Sequence, residues 1–281
     1  MTNLLTALVN LVENPITDIA EHSHSLNRAN SMGDALEYYV KDLFCDSMDI
    51  DNLARKNEIY SEHFSYLGNQ NNPPDIMIRG GDAIEVKKIE SMRSGIALNS
   101  SYPKDKLYSD NPMIKEECRS CEEWDEKDMI YIVGVTTERK LKALWFIYGS
   151  CYAANKETYE RIKQKISSGL SELNGVELSD TKELGRVNNV DPLGITYLRI
   201  RGMWHISNPI SVFDYITEVE LTNELTVNAI ILKDKYESFP EESKTRLERL
   251  ISDNLTIQNV RVKSPNNPAN LLDAKLIKFI K

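Results

Sequence analysis

Two acids and one amine lie close together in the sequence, on either side of a Gly-Gly pair. Asp75 follows two prolines, and Glu85 and Lys87 lie in a later stretch that alternates like a strand. Because side chains alternate between the faces of a strand, Glu85 and Lys87 share one face, and Ile84 and Val86 the other. Two carboxylates suit a hard divalent cation such as Mg²⁺, and a lysine can orient or deprotonate an attacking water. The spacing indicates metal-dependent phosphate-ester hydrolysis; the alternative is a surface hairpin whose charges face water.

The turn between the two strands decides whether these groups can meet. A two-residue loop at Gly80-Gly81 would set Asp75 across from Val86, on the apolar face. A three-residue loop, Gly80-Gly81-Asp82, sets Asp75 across from Lys87, with glycine in the left-handed conformation. We therefore predict a three-residue loop, with Asp75, Glu85 and Lys87 converging on the polar face.

Hydrophobic periodicity predicts the elements that position this hairpin. The predicted helices cover 3–14, 31–44, 112–126, 155–170 and 241–252. The predicted strands cover 58–67, 75–79, 83–89, 128–135, 142–148, 195–201, 227–232 and 255–263. Helices and strands are thus mixed along the chain, which indicates an α/β (α+β) protein.

The composition bounds the class of protein. A chain of 281 residues with 41% hydrophobic and 27% charged residues can bury a sizeable core in one or two domains. A net charge of −9 argues against a protein whose whole surface binds nucleic acid, but it permits a local basic cleft. No apolar run approaches the ~18 residues of a membrane span. The start shows no signal peptide. Four cysteines fit a reducing cytoplasm, and Cys118-x-x-Cys121 lacks the further ligands that zinc needs.

The stretch from Asn72 to Lys88 resembles the active-site signature of the PD-(D/E)xK nuclease superfamily. Longer segments resemble the NgoPII-type type II restriction endonucleases and are more specific than the triad alone. These segments are Ser23–Asn30, Gly33–Glu37, Asn71–Asp75, Gly81–Ser91, Ala97–Ser101, Thr181–Asn188, Arg199–Trp204 and Pro265–Ala269. The predicted order from 31 to 135 also matches the superfamily core. The resemblance implies a restriction-endonuclease-like core with a central mixed sheet flanked by helices. We expect a single domain, 1–281, with the catalytic core at about 31–150 and a C-terminal part that completes the sheet and contributes DNA or dimer contacts.

The same resemblance implies a type II restriction endonuclease that cuts double-stranded DNA at a short palindrome, GGCC in this family, with Mg²⁺. A palindrome cut on both strands calls for two sites related by a two-fold axis, hence a homodimer. A cognate DNA methyltransferase and a bacterial cytoplasmic location are also expected. Two alternatives stay open: a repair or recombination nuclease with the same core, and a non-catalytic DNA-binding protein.

The resemblance also gives roles to particular residues. Asp75 and Glu85 bind metal, and Lys87 positions or activates water. Glu37, beside the apolar face of the 31–44 helix, is either a surface salt-bridge residue or an acid lent to the metal. The candidate DNA contacts are Asn99, Ser100, Ser101 and Lys104 in the aperiodic stretch 91–111, and Arg199 and Arg201 on one face of a strand. Their alternatives are an exposed loop and a surface strand paired with acids. The polar stretch His22–Asn30 is interpreted as a loop facing DNA or a dimer partner.

Overall fold

A mixed β-sheet runs through the protein, with helices packed on both its faces. The structure is a computed structural model that describes residues 2–24, 31–69, 72–92, 94–220 and 222–281. Its helices are α1 Leu4–Glu13, α2 Ile19–His24, α3 Met32–Cys45, α4 Leu53–His63, α5 Glu116–Arg119, α6 Gly149–Tyr152, α7 Lys156–Ser171, α8 Pro209–Val212, α9 Lys233–Ser238 and α10 Glu241–Glu248. Its strands are β1 Phe64–Asn69, β2 Asn72–Ile78, β3 Ala83–Ile89, β4 Ile96–Ala97, β5 Lys106–Tyr108, β6 Glu126–Thr137, β7 Lys140–Tyr148, β8 Glu177–Leu178, β9 Gly185–Asn188, β10 Leu198–Ile200, β11 His205–Ile206, β12 Thr226–Leu232, β13 Leu255–Lys263 and β14 Leu271–Ile280.

The main sheet has the order β1-β2-β3-β6-β7-β12-β14-β13, and β5 pairs with β6 beside this path. β3 runs parallel to β6, and β7 runs parallel to β12; the other neighbouring strands are antiparallel. Smaller sheets form from β8, β9 and β10 and from β4 and β11. The predicted central mixed sheet flanked by helices is confirmed. Within the described residues, no helix is long and apolar enough to cross a membrane.

The alternation of side chains in the hairpin divides the core into two layers. Ile84 and Val86 lie in the layer that contains α1 and α3, and Met77 and Ala83 lie in the opposite layer with Trp145. Burial of large apolar side chains on both faces stabilises the central strands by roughly 1.5–3 kcal/mol for each such side chain. The hairpin that carries the candidate residues is therefore held rigidly between two packed layers.

Helix α3 packs closely against the sheet beside this hairpin. Ser31 caps its N-terminus by accepting a hydrogen bond from the Asp34 backbone N at 3.2 Å. A Cβ on Gly134 of β6 would lie 2.7 Å from Leu36 Cδ2, so glycine allows the helix and the strand to approach. This approach fixes the position of Glu37, the next residue along α3.

A buried polar network joins α2, α3 and α4. The carboxylate of Asp42 is bonded to Lys56 Nζ at 2.5 Å, Tyr60 Oη at 2.5 Å, Ser47 Oγ at 2.7 Å and His22 Nε2 at 3.0 Å. Burial raises the pKa of Asp42, but the hydrogen bonds from these partners outweigh it, and the pKa lies below its usual value. The network fixes three helices that the sequence analysis could not relate to one another.

Several predicted elements are wrong. Residues 58–63 belong to α4 rather than to a strand, because Asn52 caps this helix and Asp42 binds Lys56 and Tyr60, one turn apart. Only Glu116–Arg119 of the predicted helix 112–126 is helical. There the Arg119 guanidinium donates to backbone carbonyls of the preceding loop.

Other boundaries also differ. The strand predicted at 195–201 shortens to β10. Of the predicted loop His22–Asn30, residues 22–24 lie in α2 and 25–30 lie outside the described residues. Strand β14, to which the sequence analysis assigned no element, lies between β12 and β13. The other predicted helices and strands are present within a few residues of their expected ends.

Candidate active site

The hairpin loop has three residues, as predicted, but they are Arg79-Gly80-Gly81. The Ile78 backbone N donates to Asp82 O at 2.9 Å, which closes the loop, and Gly80 has a φ of 62°. Ile76 therefore pairs with Ile84, so the predicted pairing of Asp75 with Lys87 is wrong by two residues. A shift of two preserves the face of every side chain. Asp75 thus lies on the same face as Glu85 and Lys87, one step beyond the last paired residues.

The three groups meet on this face. Lys87 Nζ lies 2.6 Å from Glu85 Oε1 and 3.9 Å from Asp75 Oδ2. Asp75 Oδ2 also accepts a hydrogen bond from the Val86 backbone N at 2.7 Å, which ties the acid to the neighbouring strand. The apolar side chains on the opposite face are buried, as the alternation predicts. The structure therefore brings Asp75, Glu85 and Lys87 together.

In this cluster the two carboxylates of Asp75 and Glu85 share one ammonium group, that of Lys87. Burial, and then the negative charge of Glu85, raise the pKa of Asp75 to about 7, although Lys87 and the Val86 N–H act in the opposite direction. Burial lowers the pKa of Lys87, but the charges of Glu85 and Asp75 outweigh it and the pKa lies above its ordinary value. The single positive charge of Lys87 does not fully offset the negative charges of the two carboxylates.

A divalent cation fits this donor set. The raised pKa of Asp75 reflects a buried carboxylate facing a second one, an arrangement that a cation would stabilise. Among the described residues, no group of three or more His, Cys, Asp and Glu side chains is suited to a metal. Asp75 and Glu85 would therefore hold it as a pair, with water and phosphate oxygens as the other ligands, as is usual for Mg²⁺.

The cluster opens into a cavity of about 600 Å³. Its walls come from the N-terminal half of α3, the hairpin, the loop after β4 and the segment after β10. Of the predicted residues it is lined by Glu37, Asp75, Glu85, Lys87, Asn99, Ser100, Ser101 and Arg201. The sequence analysis missed Asp34 and Lys88, although Asp34 lies one helical turn before Glu37 and Lys88 follows Lys87 directly. The spacing of Asp34 and Glu37, three positions apart on one helix, could have indicated that both acids lie on the same face.

Glu37 forms the predicted ion pair and also faces the cavity of the triad, whereas its role as an acid lent to the metal stays a prediction. Its Oε1 accepts a hydrogen bond from Lys41 Nζ at 2.6 Å, one turn along α3. It also lines the cavity, and its negative charge contributes to the raised pKa of Asp75. Glu37 is therefore an ion-paired residue that faces the same space as the triad.

Lys104, unlike the other candidates for DNA contact, lines neither of the two cavities. Its side chain is buried, and Nζ donates to Ser101 Oγ and to Tyr102 O at 3.3 Å. Its backbone N donates to Tyr131 Oη at 2.6 Å. Burial lowers the pKa of Lys104 to about 8, and the charge of Glu85 offsets this only in part. The structure places Lys104 beneath the loop that contains Ser100 and Ser101, where it supports that loop from within.

Arg199 and Arg201 share a face, as predicted, and both bind Glu183. The shortest distances are 2.6 Å from Arg199 Nη2 and 2.7 Å from Arg201 Nε. Arg201 lines the cavity of the triad, and Arg199 lines a neighbouring one. Both arginines are therefore paired with an acid, one of the two alternatives, and both also line cavities; DNA contact, the other alternative, stays a prediction.

The sheet, its flanking helices and the cavity define a restriction-endonuclease-like fold. The model of the NgoPII restriction endonuclease family matches residues 2–263. The type II restriction enzyme NgoPII of Neisseria gonorrhoeae is 49% identical over 278 residues, which cover 99% of this chain and 99% of that protein. No solved structure matches. The chain therefore belongs to the NgoPII restriction endonuclease family. It is a type II restriction enzyme, a site-specific deoxyribonuclease, and such enzymes generally need a divalent metal.

Proposed function

We propose that this protein hydrolyses phosphodiester bonds of double-stranded DNA at a short palindrome, with Mg²⁺, in a PD-(D/E)xK site formed by Asp75, Glu85 and Lys87. The observation that carries the proposal is the convergence of these side chains on one face of a rigid hairpin, with Lys87 Nζ 2.6 Å and 3.9 Å from the two carboxylates. The cavity in front of them gives a phosphate backbone room to approach.

Each group has a distinct task in this proposal. Asp75 and Glu85 would hold Mg²⁺, which when bound would supply a Lewis acid to polarise the phosphoryl oxygen and favour hydroxide over water. The Val86 N–H holds Asp75 in place, so the carboxylate loses little freedom on binding the ion. Lys87 carries an ammonium that orients the attacking water and offsets the negative charge that develops on the phosphoryl oxygens.

Glu37 has a supporting role in the same site. It faces the cavity from α3, and its ion pair with Lys41 holds the carboxylate in place, from where it can bind a cation or a water. Asn99, Ser100 and Ser101 form another wall of the cavity, where amide and hydroxyl groups can bond phosphates or base edges. Lys104 keeps this wall in place from below.

We also propose a homodimer, because one such site cuts one strand of a palindrome. Two apolar side chains on the turn between β9 and β10 support a protein partner: Leu193 is 81% and Ile195 75% exposed. Asp191 fixes this turn by accepting from the backbone N of Leu193 at 2.9 Å and of Thr196 at 2.6 Å. Exposed apolar groups on an ordered turn are typical of contact surfaces.

The remaining parts of the proposal follow from the family. GGCC as the target rests on the resemblance of the segments quoted above. A cognate methyltransferase is required to protect the same sites in the host DNA, and both enzymes would act in the bacterial cytoplasm. We propose a single domain, 1–281, with the catalytic core at about 31–150. Strands β12, β13 and β14 continue the sheet from β7, which supports this division.

Cleavage of plasmid DNA tests the catalytic proposal. Asp75→Ala and Lys87→Ala should abolish cutting in Mg²⁺ while leaving DNA binding largely intact, and Asp273→Ala, at an exposed ion pair on β14, is the control. Wild-type rates in either active-site variant would refute the assignment. Discrete fragments from a long duplex support a restriction enzyme, whereas a smear or cutting at junctions alone would favour a repair nuclease.

A further inference from the structure

One carboxylate holds two arginines at the edge of the cleft. The Glu183 carboxylate accepts hydrogen bonds from Arg199 Nε at 3.0 Å and Nη2 at 2.6 Å, and it forms an ion pair with Arg201 Nε at 2.7 Å. The side chain of Glu183 is 10% exposed, whereas those of Arg199 and Arg201 are 52% and 58% exposed. The acid therefore lies beneath, and the outer edges of both guanidinium groups face the solvent.

A third arginine lies on the same face. Strand pairing sets Arg186 directly across from Arg199, so their side chains share a face of the small sheet. The Arg186 guanidinium lies over the ring of Tyr197, 4.4 Å from its centroid. These three arginines and Glu183 line the same cavity, which gives this surface an excess of positive charge in a chain whose net charge is −9. We refer to Arg186, Arg199 and Arg201 as the arginine array.

The arginine array is continuous with the active site. It lines a cavity of about 410 Å³, which shares Met113 and Arg201 with the cavity that contains Asp75, Glu85 and Lys87. A nucleic-acid strand whose phosphate lies at the triad would therefore continue along the array. This proximity is what a specific nuclease needs between the bases that it reads and the bond that it cuts.

We propose that Glu183 is a positioning residue that presents Arg199 and Arg201 to base edges of the DNA target, so that this pair sets sequence specificity. The inference rests on the proposed cleavage of DNA. A guanidinium reads guanine through two parallel hydrogen bonds to O6 and N7, and this requires a fixed plane. Glu183 engages only part of each guanidinium, and among the described residues no hydrogen bond occupies the remaining N–H donors.

The chemistry favours base edges over phosphates as the ligand. A phosphate contact depends mainly on net positive charge, and a carboxylate between two arginines reduces that charge. A base contact depends on the orientation of the guanidinium group, and the Glu183 carboxylate fixes this orientation before DNA binds. The entropic cost of ordering two long side chains on binding is therefore lower. The position of Glu183, beneath the two exposed guanidinium groups, therefore fits readout of bases.

Selection from a pool of random duplexes tests this inference, because it defines the preferred sequence without any cleavage. Affinity is then compared for the preferred duplex and for duplexes with one changed base pair. The variants are Glu183→Gln, Arg199→Lys and Arg201→Lys. The matched controls are Asp273→Asn and Arg261→Lys, from an exposed ion pair between β13 and β14 of the main sheet.

The three variants should lower discrimination between the preferred and changed duplexes by roughly 5- to 150-fold, while the controls keep it. The Lys variants retain the charge, so the salt dependence of binding should stay the same. An unchanged thermal unfolding midpoint together with lost discrimination separates positioning from a structural role.

Three results would overturn the inference. The first is a wild-type protein that selects no sequence, and the second is unchanged discrimination in all three variants. The third is an equal loss of affinity for every duplex in the variants, which marks a phosphate contact. A protein that selects a sequence but never cuts it would instead refute the proposed catalytic function.

Discussion

The carboxylate of Asp75 accepts a hydrogen bond from the backbone N of Val86 at 2.7 Å, across the two strands of the hairpin. This bond holds the acid beside Glu85 although the regular pairing of the strands ends one residue earlier, at Ile76 and Ile84. A backbone donor cannot be removed by a side-chain substitution. The position of Asp75 can therefore be separated from its charge by experiment.

Asp75→Asn should keep the geometry and lose the charge. The amide oxygen can still accept from Val86, so the fold and the affinity for DNA should be preserved, whereas metal binding should weaken. We expect the rate of plasmid cleavage in Mg²⁺ to fall by at least about 100-fold, the scale seen when one electrostatic group of an active site is lost. Initial rates at several Mg²⁺ concentrations measure this. If the thermal unfolding midpoint of Asp75→Asn fell as far as that of Asp75→Ala, the amide would not preserve the geometry of the site.

Lys104 should make stability depend on pH in the alkaline range. Burial lowers its pKa to about 8 in the folded protein, below the ordinary lysine value. Between these two values the unfolded chain binds more protons than the folded one, so the free energy of unfolding should rise with pH. Relative to Lys104→Met, the wild type should gain up to about 3 kcal/mol between pH 8 and pH 10.5. Urea unfolding of both proteins across this range is the measurement, and a constant difference would contradict the prediction.

The hairpin illustrates what local sequence could predict. Alternation of apolar residues gave the shared face of the acids and the odd length of the loop. The register itself depends on groups far along the chain. Lys127 Nζ donates to Ile78 O at 3.2 Å and to Gly81 O at 2.7 Å, and Glu122 accepts from Gly80 N at 2.8 Å. Nothing within the hairpin indicates these contacts.

The same limit applies to the wider site. The arginines at 199 and 201 were predicted to share a face from alternation alone, but their pairing with Glu183 requires the fold that brings β9 beside β10. Lys104 lies in a polar, aperiodic stretch that indicates exposure, yet Tyr131 of β6 holds its backbone and the chain covers its ammonium. The local pattern predicted which side chains share a face, whereas tertiary contacts decided which groups each side chain binds.

The turn between β9 and β10 should matter for association. Leu193→Asp and Ile195→Asp place charges on exposed apolar positions and should shift a dimer toward monomer in sedimentation experiments at micromolar concentration. Ile251→Asp is the matched control, since Ile251 is also exposed but follows α10. A wild-type chain that sediments as a monomer, or variants that stay dimeric, would contradict this.

Asp42 should be essential for stability near neutral pH. Asp42→Asn leaves Lys56 buried without its partner charge, and loss of one member of a buried pair costs about 3–5 kcal/mol. Because the folded pKa of Asp42 is lowered, this stabilisation is present above the unfolded pKa of about 4 and is lost as pH falls through the folded pKa. The difference in unfolding free energy between variant and wild type should therefore narrow below about pH 4. Asp273→Asn, at an exposed pair, should change stability by less than about 1 kcal/mol at any pH.

The contact between α3 and β6 links packing to the active site. In Gly134→Ala, the new Cβ would lie 2.7 Å from Leu36 Cδ2, so either the leucine or the helix must move. We expect a loss of about 1–3 kcal/mol in unfolding free energy, the usual cost of overpacking a core. Because Glu37 follows Leu36, a shift of the helix should also reduce cleavage. Leu36→Val in the same chain should restore part of both, since a shorter side chain makes room for the added methyl group. A double-mutant cycle measures the coupling, and additive effects would show that the two positions do not share this contact.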